Sequence, residues 1–161
     1  SGFVRNIARD TSHVKHWFFL GCGVYYPVAM ESALKMKEVT YQHAEGMPAG
    51  FLKHGTLSMV EPSLHTLFFV PLPEQKELHK RTLIAMEQVK SRGGVVIAII
   101  FQGDELAQKI AFQSIKLPVV SSLFAPLLQM IIAQMFAYYA ALDLGRNIDK
   151  PRNLAKSVTV G

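Results

Sequence analysis

One cysteine, Cys22, in 161 residues leaves this sequence no disulfide framework. A reducing compartment, the cytoplasm, is therefore the expected location, and Cys22 reads as a small buried residue at a strand end rather than a reactive thiol. Zinc-type spacing of Cys and His is missing, so no metal is expected. Aromatic-basic recognition motifs and basic arms are missing too. The net charge of +5 is modest and scattered, through Lys76, Lys80, Arg81, Lys90 and Arg92 on one segment and Lys150, Arg152 and Lys156 on another. Such residues read as solvated faces, and no nucleic-acid partner is expected. Low-complexity tracts are absent while 50% of the residues are apolar, which excludes a disordered chain and suits one domain with a substantial core. The N-terminus has no basic start, apolar stretch and small-residue cleavage site of a signal peptide. It also has no initiator Met, and the chain reads as cut from something longer, or processed. Charge is lacking altogether from Ser121 to Leu142, a stretch long enough to cross a bilayer. Pro126, Gln129 and Gln134 interrupt it, however, and it follows an α/β pattern, so it reads as a helix buried in the core or in a contact with another domain or subunit, with no membrane involved.

What is present is centred on Pro27 to Tyr41, PVAMESALKMKEVTY. Ala29, Met30, Ala33, Met36 and Val39 make this helix pattern apolar on most sides, and Glu31, Lys35 and Glu38 form one charged stripe. At about 100° per residue, positions three and four apart share a face, so two carboxylates flank one ammonium. A stripe of this kind either reaches solvent, as an ordinary i,i+4 pair worth a few tenths of a kcal/mol, or faces a polar cleft.

Residues 1–14 read as an incoming linker or short helix. His16 to Leu20 is a short aromatic strand leading into the turn Gly21-Cys22-Gly23, and Pro27 suits the first turn of the helix. A G-x-G after a strand can bring backbone N–H groups close to a phosphate, but the third glycine of a dinucleotide fingerprint is missing and a tight turn explains the pair equally well. His43 to Gly55, punctuated by Gly and Pro, reads as a structured loop with a short helix. Leu64 to Val70 is a strand, Glu74 to Arg92 a helix closed by Gly93-Gly94, and Val95 to Phe101 a strand buried on both faces. Asp104 to Ala111 and Ser114 to Leu117 read as a short helix and a short strand. The alternation argues for an α/β fold with a parallel sheet covered on both sides. After Gly145 the pattern fades into a charged tail.

Three stretches together resemble glutamine:fructose-6-phosphate aminotransferases (isomerising). They are Glu31-Ser32-Ala33-Leu34-Lys35-Met36-Lys37-Glu38, the loop His43 to Gly55 with Leu52-Lys53-His54-Gly55, and the tail Pro151-Arg152-Asn153-Leu154-Ala155-Lys156-Ser157-Val158-Thr159-Val160, the most specific of the three. Their order is that of the second of two sugar-isomerase (SIS) halves in those enzymes. The resemblance implies a flavodoxin-like three-layer αβα sandwich over residues 1–161, with 145–161 a catalytic tail. It also implies roles: Glu38 as the base moving a proton between C1 and C2 of the sugar, Lys35 assisting at the open-chain substrate, and Glu31 in the same polar cluster. His54 would help open the sugar ring in the site of a neighbouring subunit. Lys156, beside the substrate-binding Ala155, would form a Schiff base with the C2 carbonyl. The residue types suit the chemistry, since aldose–ketose isomerisation needs a carboxylate for a carbon-bound proton and a group that converts the carbonyl.

The substrate implied is fructose 6-phosphate with ammonia from glutamine, and no cofactor is required. The implied partners are a first SIS domain, a glutaminase domain on the same or another chain, and a second copy in a homodimer. The chain departs from the family pattern at Cys22 (usually Arg), Phe51 (Glu), Thr56 (Pro) and Gly161 (Glu). It has neither an S-x-S-G-type phosphate loop nor a glutaminase nucleophile. Two other readings go with the same residues: a stand-alone SIS module that senses a sugar phosphate, and a glutaminase-free sugar-phosphate isomerase or deaminase.

Overall fold

The computed structural model describes residues 2–154. Five parallel strands form one sheet in the order β2-β1-β3-β4-β5: β1 His16–Gly21, β2 His43–Pro48, β3 Leu64–Phe69, β4 Val95–Phe101 and β5 Gln113–Leu117. Helices α1 Gly2–Asp10, α2 Tyr25–Thr40, α3 Lys76–Lys90, α4 Glu105–Ile110 and α5 Ala125–Asp143 cover it. Two short 3-10 helices, Ala49–His54 and Thr56–Met59, follow β2.

Side chains alternate across a strand, and each central strand feeds two cores. Trp17, Phe19, Leu67, Phe69, Ile97 and Ile99 pack under α1, α2 and α5. Phe18, Leu20, Phe68, Val96, Ala98 and Ile100 pack under α3, α4 and the first 3-10 helix. That is the expected three-layer sandwich, and the continuous apolar run of β4 has the reason given for it, burial on both faces. Asp104 closes the far end of the second core. Its Oδ1 accepts the Ala107 N–H at the start of α4, and its Oδ2 lies 2.8 Å from His79 Nε2 on α3.

Two expectations need correction. His43–Pro48 is a strand, not part of a loop, paired in parallel with β1 from His16↔His43 to Gly21↔Pro48. It lies at the sheet edge with a ladder on one side only, a position that tolerates the glycine and proline which gave it a loop-like sequence. And α2 is not buried on most sides. Val28, Ala29, Ser32, Ala33, Met36 and Thr40 make one buried face, while Met30 and Leu34 are exposed. The initial segment, read as linker or helix, is α1, with Val4, Ile7 and Ala8 buried against the core.

Candidate functional site

Helix α2 is built from strong helix formers, and its buried Ser and Thr hydroxyls are satisfied within it. Ser32 Oγ donates to Val28 O at 2.6 Å and Thr40 Oγ1 to Met36 O at 2.7 Å. The helix ends at Tyr41, whose φ of 65° is left-handed and whose N–H returns to Lys37 O. On the outer face Lys35 Nζ donates to Glu38 Oε2 at 2.8 Å and lies 3.6 Å from Glu31 Oε1. The expected stripe is therefore a closed triad, about one-third exposed, with Glu38 the most covered of the three at 28%. The hydrogen bond to Glu38 raises the Lys35 pKa, aided by the charges of both carboxylates and opposed by partial burial. Lys35 is thus held as a cation. It can polarise an oxygen, but it is a poor amine nucleophile.

Glu38 opens on a cleft of about 450 Å³ whose other wall is the tail, Arg152 to Leu154, with Tyr41 and His43 between. Two contacts dock the tail there. The Arg152 backbone N–H donates to Tyr41 Oη at 2.9 Å, and the Arg152 guanidinium lies 4.3 Å from the Tyr41 ring centroid. Arg146 sits over the same ring at 5.1 Å. Sequence reasoning missed Tyr41, Arg146 and Arg152. The only hint was an aromatic residue at a helix end and arginines more than a hundred positions away. Ala155 and Lys156 lie outside the described residues.

His54 is not in this cleft. It ends the 3-10 helix after β2, exposed, with its ring edge-to-face on Phe51 at 6.1 Å. It therefore follows the C-terminal end of the sheet, whereas Glu38 lies in the last turns of α2, which leads into the N-terminal end of β2.

A second cleft, about 610 Å³, lies at the C-terminal ends of β1 and β2 between the Gly21-Cys22-Gly23 turn, Phe51 and Arg81 of α3. The turn is explained by packing: a Cβ on Gly21 would stand 2.2 Å from Tyr25 O, and Gly23 has φ +55°. Cys22 is buried as expected, and burial raises its thiol pKa, which keeps it protonated and inert. Arg81 is engaged with Glu77 at 2.7 Å.

A parallel sheet ordered 2-1-3-4-5 with helices on both faces is a three-layer α/β sandwich, and the chain belongs to the SIS domain family, whose pattern matches residues 11–144. Within it, the chain is 44% identical over 161 residues to glutamine–fructose-6-phosphate aminotransferase (isomerising) of Mycobacterium tuberculosis, covering 99% of this chain and 26% of that one. The C-terminal domain of glucosamine-fructose-6-phosphate aminotransferase from Francisella tularensis superposes with a TM-score of 0.82 at 34% identity, over 92% of this chain and 41% of that chain. Tagatose-6-phosphate ketose/aldose isomerase from Escherichia coli gives a TM-score of 0.72 at 25% identity, over 84% of this chain and 38% of that one. The chain spans about a quarter of the length of the curated relatives it matches.

Proposed function

We propose that this chain is the second SIS half of a glutamine–fructose-6-phosphate aminotransferase, contributing the proton-transfer base and the imine-forming lysine to glucosamine 6-phosphate synthesis. The observation that carries this reading is the cleft shared by Glu38 and the tail. The carboxylate expected to move a carbon-bound proton and the segment that runs into Lys156 meet in one place.

The chemistry follows from the residue types. The neutral amine of Lys156 condenses with the C2 ketone of open-chain fructose 6-phosphate and releases water. Ammonia adds at C2 and displaces the lysine amine, leaving the C2 imine of the sugar. Glu38 takes a proton from C1 and returns one to C2, while the C1 hydroxyl gives up its proton and the imine nitrogen takes one, so that C1 becomes an aldehyde and C2 carries the amine. Lys35, held charged between Glu31 and Glu38, stabilises the oxygen on which negative charge develops. Division of labour between the lysines agrees with the raised pKa of Lys35, which leaves imine formation to the other. The position of His54 away from Glu38 fits a residue that serves another subunit's site. On this reading the domain works in the cytoplasm as a homodimer, completed by a first SIS domain that holds the phosphate and a glutaminase domain that supplies ammonia.

The test is glucosamine 6-phosphate formation from fructose 6-phosphate and ammonium, by the chain alone and with a separately produced first SIS domain. Turnover in the mixture, abolished by Lys156→Ala and reduced about 10²- to 10⁴-fold by Glu38→Gln, is expected. Sugar-phosphate binding with no turnover in either sample would replace the enzyme with a sensing module.

A further inference from the structure

We infer that the cleft at the C-terminal ends of β1 and β2 is a binding site for a phosphate monoester carried on a planar, apolar ring. The sheet order reverses between β1 and β3, where β1 sends α2 to one face and β3 sends α3 to the other. Helices that part in this way leave a crevice beyond the strand ends, and open α/β sheets take up ligands there. In this chain that crevice is the cleft of about 610 Å³ walled by the Cys22 turn, the first 3-10 helix and α3. The Glu38 cleft lies elsewhere. About 20 Å of helix separate Tyr25, at the start of α2, from Glu38.

Two features of the walls select the ligand. The first is charge: Lys53 and Arg81 line the cleft and no acidic residue does. Lys53 forms no ion pair among the described residues. Arg81 gives its Nε to Glu77, and its two Nη atoms form no hydrogen bond among the described residues. The Arg81 charge is felt inside the cleft. Burial raises the Cys22 thiol pKa, while a hydrogen bond with Thr82 and the charge of Arg81 pull against it. A phosphate monoester brings nearly two negative charges and three acceptor oxygens, which two cations match. The second feature is uncovered apolar surface. Phe51 is 62% exposed and Ile84 about half exposed, although both line the cleft. Gly50 lines it without a side chain, and a Cβ there would meet no atom within 4 Å, which leaves room beside Phe51. Phosphate alone leaves that surface wet, whereas a ring laid against Phe51 covers it and adds stacking.

Titration calorimetry of the full chain with 1-naphthyl phosphate tests this, with inorganic phosphate and 1-naphthol as probes of each half alone. One molecule per chain is expected, bound at least about tenfold more tightly than either control. Phe51→Glu puts a carboxylate where the ring would lie, and Arg81→Gln removes a cation. Both change exposed side chains, so the melting temperature is expected to stay as it is, while each weakens 1-naphthyl phosphate by about tenfold or more. Adenosine 5′-monophosphate, titrated in parallel, distinguishes the sources of this chemistry. Binding as tight as that of 1-naphthyl phosphate supports a nucleotide in the cleft, and much weaker binding supports a smaller aryl ester.

Inorganic phosphate or 1-naphthol binding as tightly as 1-naphthyl phosphate would overturn the inference, since one half of the ligand would then suffice. An affinity unchanged in both variants would also overturn it, because the ligand would lie outside this cleft. None of these outcomes depends on Glu38 or on glucosamine 6-phosphate formation. A failed synthase assay would leave the titration to decide the site by itself.

Discussion

His65 enters β3 beside two aromatic rings, Trp17 at 5.5 Å and His13 at 6.2 Å, with its Nδ1 buried and without a hydrogen-bond partner. Burial first, and then the charge of His13, lowers its pKa to about 4. The unfolded chain, with an ordinary histidine near 6.5, takes up a proton between pH ~6.5 and ~4 that the folded protein refuses. Stability associated with this residue is therefore fully present above the unfolded value and falls as the solution is acidified through that window, by roughly 3 kcal/mol in all. His65→Phe is expected to flatten the acid side of the melting-temperature profile between pH 7 and pH 4, and parallel profiles would show that the ring accepts its proton in the fold. Exposed pairs behave differently. Lys35→Met is expected to change stability by no more than about 1 kcal/mol while lowering turnover, measured by chemical denaturation and by the synthase assay side by side. At this scale the sequence was readable wherever chemistry showed in residue type and local spacing. Glu31, Lys35 and Glu38 are one and two helical turns apart, and their mutual contact needed only a helix. Tyr41 and Arg152 were unreadable because the turn that brings them together is set by the whole sheet between them.

The element that decides the geometry of the cleft is α2, and its seating depends on Gly46 in β2. A Cβ at that position would lie 2.5 Å from Met30 Cα and 2.7 Å from Ala29 O, both backbone atoms that cannot rotate away. Gly46→Ala must lift the helix from the edge strand. The expected result is a loss of about 2 kcal/mol, a drop in melting temperature of about 5 °C, and a larger proportional loss of turnover than of stability, because Glu38 rides on the displaced helix. Calorimetry and the synthase assay together check this. The same glycine shows why β2 escaped the sequence pattern. A residue with no side chain is needed there for contact between helix and strand, and in the one-dimensional chain it looks like a turn. The interior strands carried their own signal, since every side chain of β3 is buried and four of its six residues are apolar, while β4 is apolar throughout.

For the molecule as a whole, the sandwich has one face left to cover. The inward side of α5 carries Ala125, Ala133, Ala137 and Ala140, which let it pack closely on α1 and α2, beside the larger Gln129 and Phe136. Its outward side shows Leu127, Ile131, Tyr138 and Leu142, each about half exposed. Its lack of charge, noted from the sequence, thus has two causes, core on one side and uncovered apolar surface on the other, and periodicity alone does not separate them. Dimerisation through this helix is the expected outcome. Sedimentation at high concentration should show a dimer that Leu127→Glu with Ile131→Lys converts to monomer at constant melting temperature, and a clean native monomer would sink the idea.

Gln129 sits on that helix, fully buried, and its Nε2 donates to Val70 O at 2.7 Å and to Ile99 O at 3.1 Å, where the chain leaves β3 and where β4 nears its end. Those two strands carry α3 and α4 away on the opposite side of the sheet. One amide therefore acts as a tie bar through the middle layer, linking a helix whose back is apolar and uncovered to the rim from which the far helices hang.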